Sequence, residues 1–246
     1  MPTNKLVLHY AIRSYECDQN NNMRLVTVMN ILQEAAVKDA ANRGFGMEFC
    51  LKNNMTWVGN DYVIEILRMP QVDELIEVAT WPSAEDKMSA CRDFIITDAA
   101  GKVVIKASSR WLLISLDKKR PLPVLGHLGD DYLIEERAIL TEFPKIPQIE
   151  EGALQYSFKV RYDDIDINKH INNAVYILWA GEAVEHNWRL CRVPVKIAVN
   201  FRKEGFWGED IEVLTQINNN NTLSSVRAVG DNARELARVS MEWQKC

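Results

Sequence analysis

Histidine is scarce in this chain. There are four in 246 residues, His9, His127, His170 and His186, and none stands at metal-ligand spacing from another. The five cysteines (Cys17, Cys50, Cys91, Cys191, Cys246) are scattered, odd in number and never in CxxC spacing. That argues against a disulfide framework or a zinc site, and for free thiols in a reducing compartment. No apolar run approaches the length that spans a bilayer, and the opening Met-Pro-Thr-Asn-Lys has no signal-peptide core. The expectation is a cytoplasmic protein without a membrane span. Positive charge is not in excess: the net charge of −5 excludes a general nucleic-acid binder, and an acidic partner would have to meet a local basic patch. A GxSxG elbow, a P-loop and GxGxxG are all missing, so nothing asks for a nucleotide, a metal or another cofactor.

What is present is a soluble, globular composition, 47% hydrophobic and 26% charged, and an internal duplication. The segment Arg161-Tyr-Asp-Asp-Ile-Asp166-Ile-Asn168-Lys-His170-Ile-Asn172-Asn173 has a decayed copy 148 residues earlier. Arg161 answers to Arg13, Asp166 to Asp18, Asn168 to Asn20 and Glu182 to Glu34, but His170 answers to Asn22. The register then shifts to 135, where Ile76-Glu77-Val78 matches Ile211-Glu212-Val213, so the first copy holds 13 extra residues near 43–60. In that second register Met69 faces Glu204. One site on a doubled scaffold is the reading.

Periodicity predicts a strand over 6–15, a polar turn over 18–22 and a helix over 25–42, with Val28, Ile31, Leu32, Ala35 and Ala36 at helical spacing and Gly44 as its stop. Strands follow at 57–67, 74–81, 88–97 and 103–114. The second half repeats the order: a strand over 157–162, a helix over 173–189, then strands at 195–203, 210–217, 222–229 and 235–243. Ala174, Ala180, Gly181 and Ala183 would let a sheet approach that helix closely. The divisions are residues 1–116, a linker over 117–148 rich in Pro and Gly that crosses the surface, and 149–246. By itself this is an α+β class with two related halves.

The chemistry sits in the cluster. Asp166, Asn168 and His170 alternate, so on an extended segment they would point one way. Asn172 or Asn173 can cap the following helix, whose free N–H groups favour an oxyanion. Imidazole, carboxylate and amide beside such donors suit hydrolysis or acyl transfer. Asx residues also serve turns, and for one copy alone the structural reading leads. The duplicate shifts the balance, because Asn22 should serve a turn as well as His170. Glu204 on its own reads as a solvated strand-end charge beside Arg202 and Lys203. Glu182 and Glu34 lie in apolar helical stretches, where a buried hydrogen bond between the halves is at least as apt as catalysis. Cys191 reads as an inert thiol.

At this point the chain resembles the acyl-[acyl-carrier-protein] thioesterases, along nearly its whole length. The resemblance rests on Arg13-Ser-Tyr-Glu16, Leu32-Gln-Glu-Ala35, Gly44-Phe-Gly46, Thr56-Trp-Val58 and Ala79-Thr-Trp81 in the first half. In the second it rests on Asp166-x-Asn168-x-His170-x-Asn172-Asn173-x-x-Tyr176 and Phe201-Arg-Lys-Glu204. It implies a tandem hotdog fold, two antiparallel sheets each wrapping a long central helix, and hydrolysis of fatty acyl-ACP thioesters in fatty acid biosynthesis. It implies catalytic residues at Asp166, Asn168, His170 and Glu204, and no cofactor. The partner is an acyl carrier protein with its 4′-phosphopantetheine-linked chain; Arg189, Arg192, Lys196, Arg202 and Lys203 are candidate docking positions. The first half then supplies the acyl-chain pocket, with Met23, Val28, Leu32 and Met69 as candidate walls. In the plant enzymes a cysteine follows the glutamate; here that position is Gly205, so a cysteine nucleophile there is excluded. An acyl-CoA thioesterase and a non-catalytic acyl-binding protein are the alternatives, a hotdog hydratase fits less well, and a homodimer is left open.

Overall fold

The computed structural model describes residues 5–124, 133–140, 142–149 and 154–245. The chain divides into two compact units, Met1–Glu142 and Phe143–Cys246.

In the first unit, β1 (Leu6–Ala11) runs into a 3-10 turn at Ser14–Glu16. Helix α1 (Leu25–Asn42) follows, then a short α2 (Met47–Lys52) and the strands β2 (Met55–Ile66), β3 (Leu75–Glu85), β4 (Ser89–Asp98) and β5 (Val103–Ser115). A two-residue β6 (Pro121–Leu122) pairs with β5. The strands form an antiparallel sheet in the order β1-β3-β4-β5-β2. The helix forms where its apolar spacing says it should: Val28, Ile31, Leu32, Ala35 and Ala36 are all buried, and α1 packs on β3 and β1. It stops because Gly44 takes a left-handed φ of 83°, which lets the Phe45 N–H close back on the Ala40 carbonyl at 2.8 Å. Helix α2 lies within the extra residues of the first copy and has no signal in the periodicity.

One feature of this core is charged. Asp39 on α1 accepts from Arg43 Nε at 2.8 Å and Arg92 Nη1 at 2.6 Å, all three residues being buried. On β4, Asp93 accepts from Ser108, Arg137 and the Ala138 N–H at 2.6, 2.9 and 2.7 Å. These pairs are hydrogen-bonded at each end, which is what allows charge in a sheet interior.

The second unit starts with β7 (Leu154–Lys159) and a 3-10 turn at Tyr162–Asp164. Helix α3 (Asn173–Glu182), a short α4 (His186–Leu190) and the strands β8 (Arg192–Phe201), β9 (Asp210–Asn218), β10 (Asn221–Ala228) and β11 (Arg234–Lys245) follow. Their antiparallel order is β8-β11-β10-β9-β7, and α3 packs on β9, β10 and β11. Ala174, Ala180 and Gly181 are buried there, while Ala183 is half-buried. Each unit is therefore the hotdog arrangement, α+β, with an antiparallel sheet against one central helix.

Three expectations change. The helix over 173–189 is broken at Ala183–Glu185, because the Glu185 carboxylate caps a new helix by accepting from the Asn187 and Trp188 N–H groups at 3.0 and 2.8 Å. Glu34 and Glu182 are not buried: both are exposed, paired with Lys38 at 3.0 Å and Arg189 at 2.7 Å. The Pro-rich stretch is not a surface crossing throughout, since Val124, Ala138, Ile139 and Ile146 are buried. Gly126 and Gly129 of that stretch lie outside the described residues.

Candidate active site

The polar cluster is a tight turn, not an extended run. A bridge between Ile165 and Ile171 closes it, the Asp166 N–H donates to the His170 carbonyl at 2.9 Å, and Lys169 N–H returns to the Asp166 carbonyl at 3.0 Å. Lys169 takes the left-handed φ of 69° that such a reversal needs. The Asp166 carboxylate accepts the Asn168 N–H at 2.8 Å and its side-chain amide at 3.3 Å, an Asx turn that holds the loop and orients Asn168. The three side chains are grouped by this turn and not by strand alternation.

The first copy folds the same way. Cys17 and Met23 form the matching bridge, Asp18 N–H donates to the Asn22 carbonyl at 2.8 Å, and Asn21 takes a φ of 63°. The Asp18 carboxylate accepts the Asn20 and Asn22 N–H groups at 2.8 and 3.0 Å. The turn is thus made without an imidazole.

A second loop completes the site. The Ile171 N–H donates to the Gly205 carbonyl at 2.9 Å, as the Met23 N–H donates to the Pro70 carbonyl at 2.8 Å. That pairs position 205 with position 70, so Glu204 and Met69 are counterparts, as the 135-residue register requires. His170 Nε2 then lies 3.7 Å from Glu204 Oε1, the imidazole about one-third exposed and the carboxylate more than half. The Phe206 ring meets the imidazole edge-on, with centroids 6.3 Å apart. Asn172 caps α3 by accepting the Ala174 N–H at 2.9 Å. An imidazole two residues before a helix cap and a carboxylate 3.7 Å from it, both open to solvent, can hold and activate a water.

The acyl-ACP thioesterase N-terminal domain family matches residues 4–132 and the corresponding C-terminal domain family matches 148–245. The chain belongs to the acyl-ACP thioesterase family. It is accordingly a thioester hydrolase of fatty acid biosynthesis, acting on fatty acyl-ACP. It is 28% identical over 278 residues to chloroplastic oleoyl-acyl carrier protein thioesterase 2 of Arabidopsis thaliana, covering 96% of this chain and 76% of the relative. It is 30% identical over 225 residues to thioesterase 1 of the same plant, covering 84% of this chain and 62% of that relative. Among solved structures, an acyl-ACP thioesterase from Bacteroides thetaiotaomicron superposes with a TM-score of 0.92 at 22% identity, covering 99% of this chain and all of that one. The 12:0-ACP thioesterase of Umbellularia californica gives 0.89 at 22%, covering 100% and 99%. At these identities the structural likeness shows the fold.

In this thioesterase, Gly205 has no room for a side chain. A Cβ there would stand 2.3 Å from Ile171 Cδ1 and 2.9 Å from Leu236 Cδ1. Its carbonyl serves Ile171 and its N–H donates to the buried Tyr176 hydroxyl, whose pKa burial pushes up so that it stays a neutral acceptor. Tyr176 closes the sequence string yet carries no role in it; only the fold shows that it braces the loop beside Glu204. Of the candidate acyl-chain walls, Met23, Val28 and Leu32 are fully buried and Met69 is half-buried. No helix among the described residues is long and apolar enough to cross a membrane.

Proposed function

We propose that Asp166, Asn168, His170 and Glu204 form the hydrolytic site of this thioesterase. One observation carries the reading: the His170–Glu204 pair, 3.7 Å apart, occurs in the half whose duplicate keeps the whole turn but lacks both groups. Glu204, held beside His170 and Asn168, orients a water and takes its proton. The water oxygen bonds to the thioester carbonyl carbon, whose oxygen becomes an oxyanion. The cap already engages the Ala174 N–H, so the Asn173 amide at the helix start and the Asn168 side chain are the donors this step draws on. Collapse breaks the carbon–sulfur bond, and the pantetheine thiolate recovers the proton from Glu204. His170 and Asn168 position the reactants while Asp166 anchors the turn. The exposed Ile167, Phe206 and Trp207 offer apolar surface to the incoming arm.

The N-terminal half supplies the acyl-chain pocket, with Met23, Val28, Leu32 and Met69 as its candidate walls. The carrier protein, which is acidic, docks on basic side chains. Lys203 suits this best, being exposed and next to Glu204, while Arg202 is exposed but paired with Glu235 at 3.1 Å. Arg189 is engaged with Glu182, and Arg192 stacks on Trp188 at 4.2 Å, so both serve the unit itself. Lys196 is half-buried. The free Cys17, Cys50, Cys91 and Cys191 suit a reducing compartment such as the cytoplasm.

Hydrolysis of acyl-ACP thioesters of graded length, in competition with the acyl-CoA series, tests the assignment. The expected result is a kcat/KM preference for the carrier protein and a severe loss in Glu204→Gln. A large preference for CoA would overturn the partner, and a near-normal Glu204→Gln would overturn the base. Single turnover in labelled water separates this route from direct attack by Asp166: label in the enzyme carboxylate would rule out the water route.

A further inference from the structure

The Glu204 carboxylate is more than half exposed, so its placement depends on its backbone. That backbone is gripped from β11. Arg234 Nε and Nη2 donate to the Glu204 carbonyl at 3.2 and 2.7 Å, while Nη1 and Nη2 reach Glu209 Oε1 and Oε2 at 2.9 and 3.0 Å. Glu209 Oε2 in turn accepts the Phe206 N–H at 2.9 Å. The Arg234 guanidinium also lies 5.7 Å from the centroid of the Phe206 ring, the ring that meets His170. One ion pair thus fixes the carbonyl before Gly205 and the amide after it.

The first half makes the same grip by different means. Glu74, the counterpart of Glu209, accepts the Gln71 N–H at 3.0 Å. Its arginine is Arg68, which donates to Glu74 Oε1 and Oε2 at 2.5 and 2.8 Å and reaches the Met69 carbonyl at 3.4 Å. Arg68 belongs to the loop that it holds. In the second half its counterpart is Lys203, and the arginine comes instead from a strand paired on both sides, with β8 and β10. The N–H groups of Leu67 and Arg68 donate to the Val104 carbonyl and those of Arg202 and Lys203 to the Leu236 carbonyl, which sets Arg234 opposite Lys102. Arg68 also reaches Asp98, the last residue of β4, at 3.3 Å, so both grips touch the sheet, and the difference is that the arginine itself stands on a strand only where the loop carries an acid. A group on a rigid element holds a geometry that a group moving with the loop cannot.

We propose that Arg234 and Glu209 are a positioning pair that sets the Glu204 carboxylate against His170 for thioester hydrolysis, a role that rests on Glu204 acting as the base. The test measures kcat and KM on an acyl-ACP thioester, with thermal melting, for the intact chain carrying Arg234→Gln, Arg234→Lys, Glu209→Gln, Arg68→Gln, Glu204→Gln and the double change Glu204→Gln/Arg234→Gln. A displacement of about 1 Å costs on the order of 100-fold, so kcat in Arg234→Gln should fall about 10- to 100-fold with KM within about twofold. Arg234→Lys recovers part of the rate. Arg68→Gln, the same lesion in the other half, keeps kcat within about twofold, and Arg234→Gln adds no more than about twofold to Glu204→Gln. An equal loss from Arg68→Gln, or a full extra loss on top of Glu204→Gln, would make the pair a support of the fold and overturn the proposal. So would a normal kcat in Arg234→Gln while Glu204→Gln is severe, whereas a near-normal Glu204→Gln removes the reading beneath it. Should Arg234→Gln fail to fold, Glu209→Gln, which leaves an oxygen for the Phe206 N–H, carries the same comparison.

Discussion

Placing a side chain at position 205 tests how the two halves of the site are joined. In Gly205→Ala the new methyl would lie 2.3 Å from Ile171 Cδ1 and 2.9 Å from Leu236 Cδ1. Carbon atoms settle about 3.5–4.0 Å apart, so the Ile171 methyl has to withdraw by about 1 Å or more. Both obstructing atoms are ends of flexible side chains, which limits the damage to an overpacking cost of about 1–3 kcal/mol. For a chain of this length each kcal/mol lowers Tm by about 2–4 °C, so a fall of about 2–12 °C is expected. Ile171→Val removes the nearer obstruction at its own cost of about 0.5–1.5 kcal/mol. The double variant should be more stable than the sum of the two losses by about 1 kcal/mol. Thermal and urea denaturation of the four proteins read this directly. Gly205→Cys should behave like Gly205→Ala in stability, hydrolyse no faster, and remain dependent on Glu204. A Gly205→Ala variant as stable as the parent, or strict additivity with Ile171→Val, would refute the packing argument.

Changing His170 to the residue of the first copy, His170→Asn, should leave the turn standing, with stability within about 0.5 kcal/mol, and cut kcat severely; a melt alongside steady-state kinetics checks both. Asn172→Ala removes the cap on the Ala174 N–H and should cost about 1 kcal/mol in chemical denaturation. The Arg68 hydrogen bonds hold Glu74 below its ordinary value of 4.5. A lowered folded pKa stabilises above that value, and the gain is lost as pH falls through the folded one. The stability lost in Arg68→Gln, about 0.2–1 kcal/mol for a pair this open to solvent, should therefore be largest above pH 4.5 and shrink below it in melts across pH.

The duplication, the first helix and the succession of strands were legible in the chain because they are local. Apolar spacing marks α1 to the residue, and the turn chemistry of Asp18 and Asp166 repeats in kind. The break at Glu185 was not legible, since a capping carboxylate in a helical stretch reads as an ordinary helix charge until its partners are known. The solvent-facing pairs of Glu34 and Glu182 are hidden from the sequence for a similar reason: an acid among apolar neighbours looks buried until the helix has a direction. The charged core around Asp39 and Arg92 was also invisible, because its members are 53 residues apart.

For the site, sequence by itself determined the inventory: one imidazole, one acid with no counterpart, a glycine directly after that acid, and membership of a thioesterase family. Tertiary structure alone decided the rest. Only folding carries Glu204 to within 3.7 Å of His170, sets Tyr176 under the Gly205 amide, and brings Arg234 from β11 onto the Glu204 carbonyl. The reason is that side-chain identity is written residue by residue, whereas distance between loops depends on how strands far apart in the chain pair into one sheet.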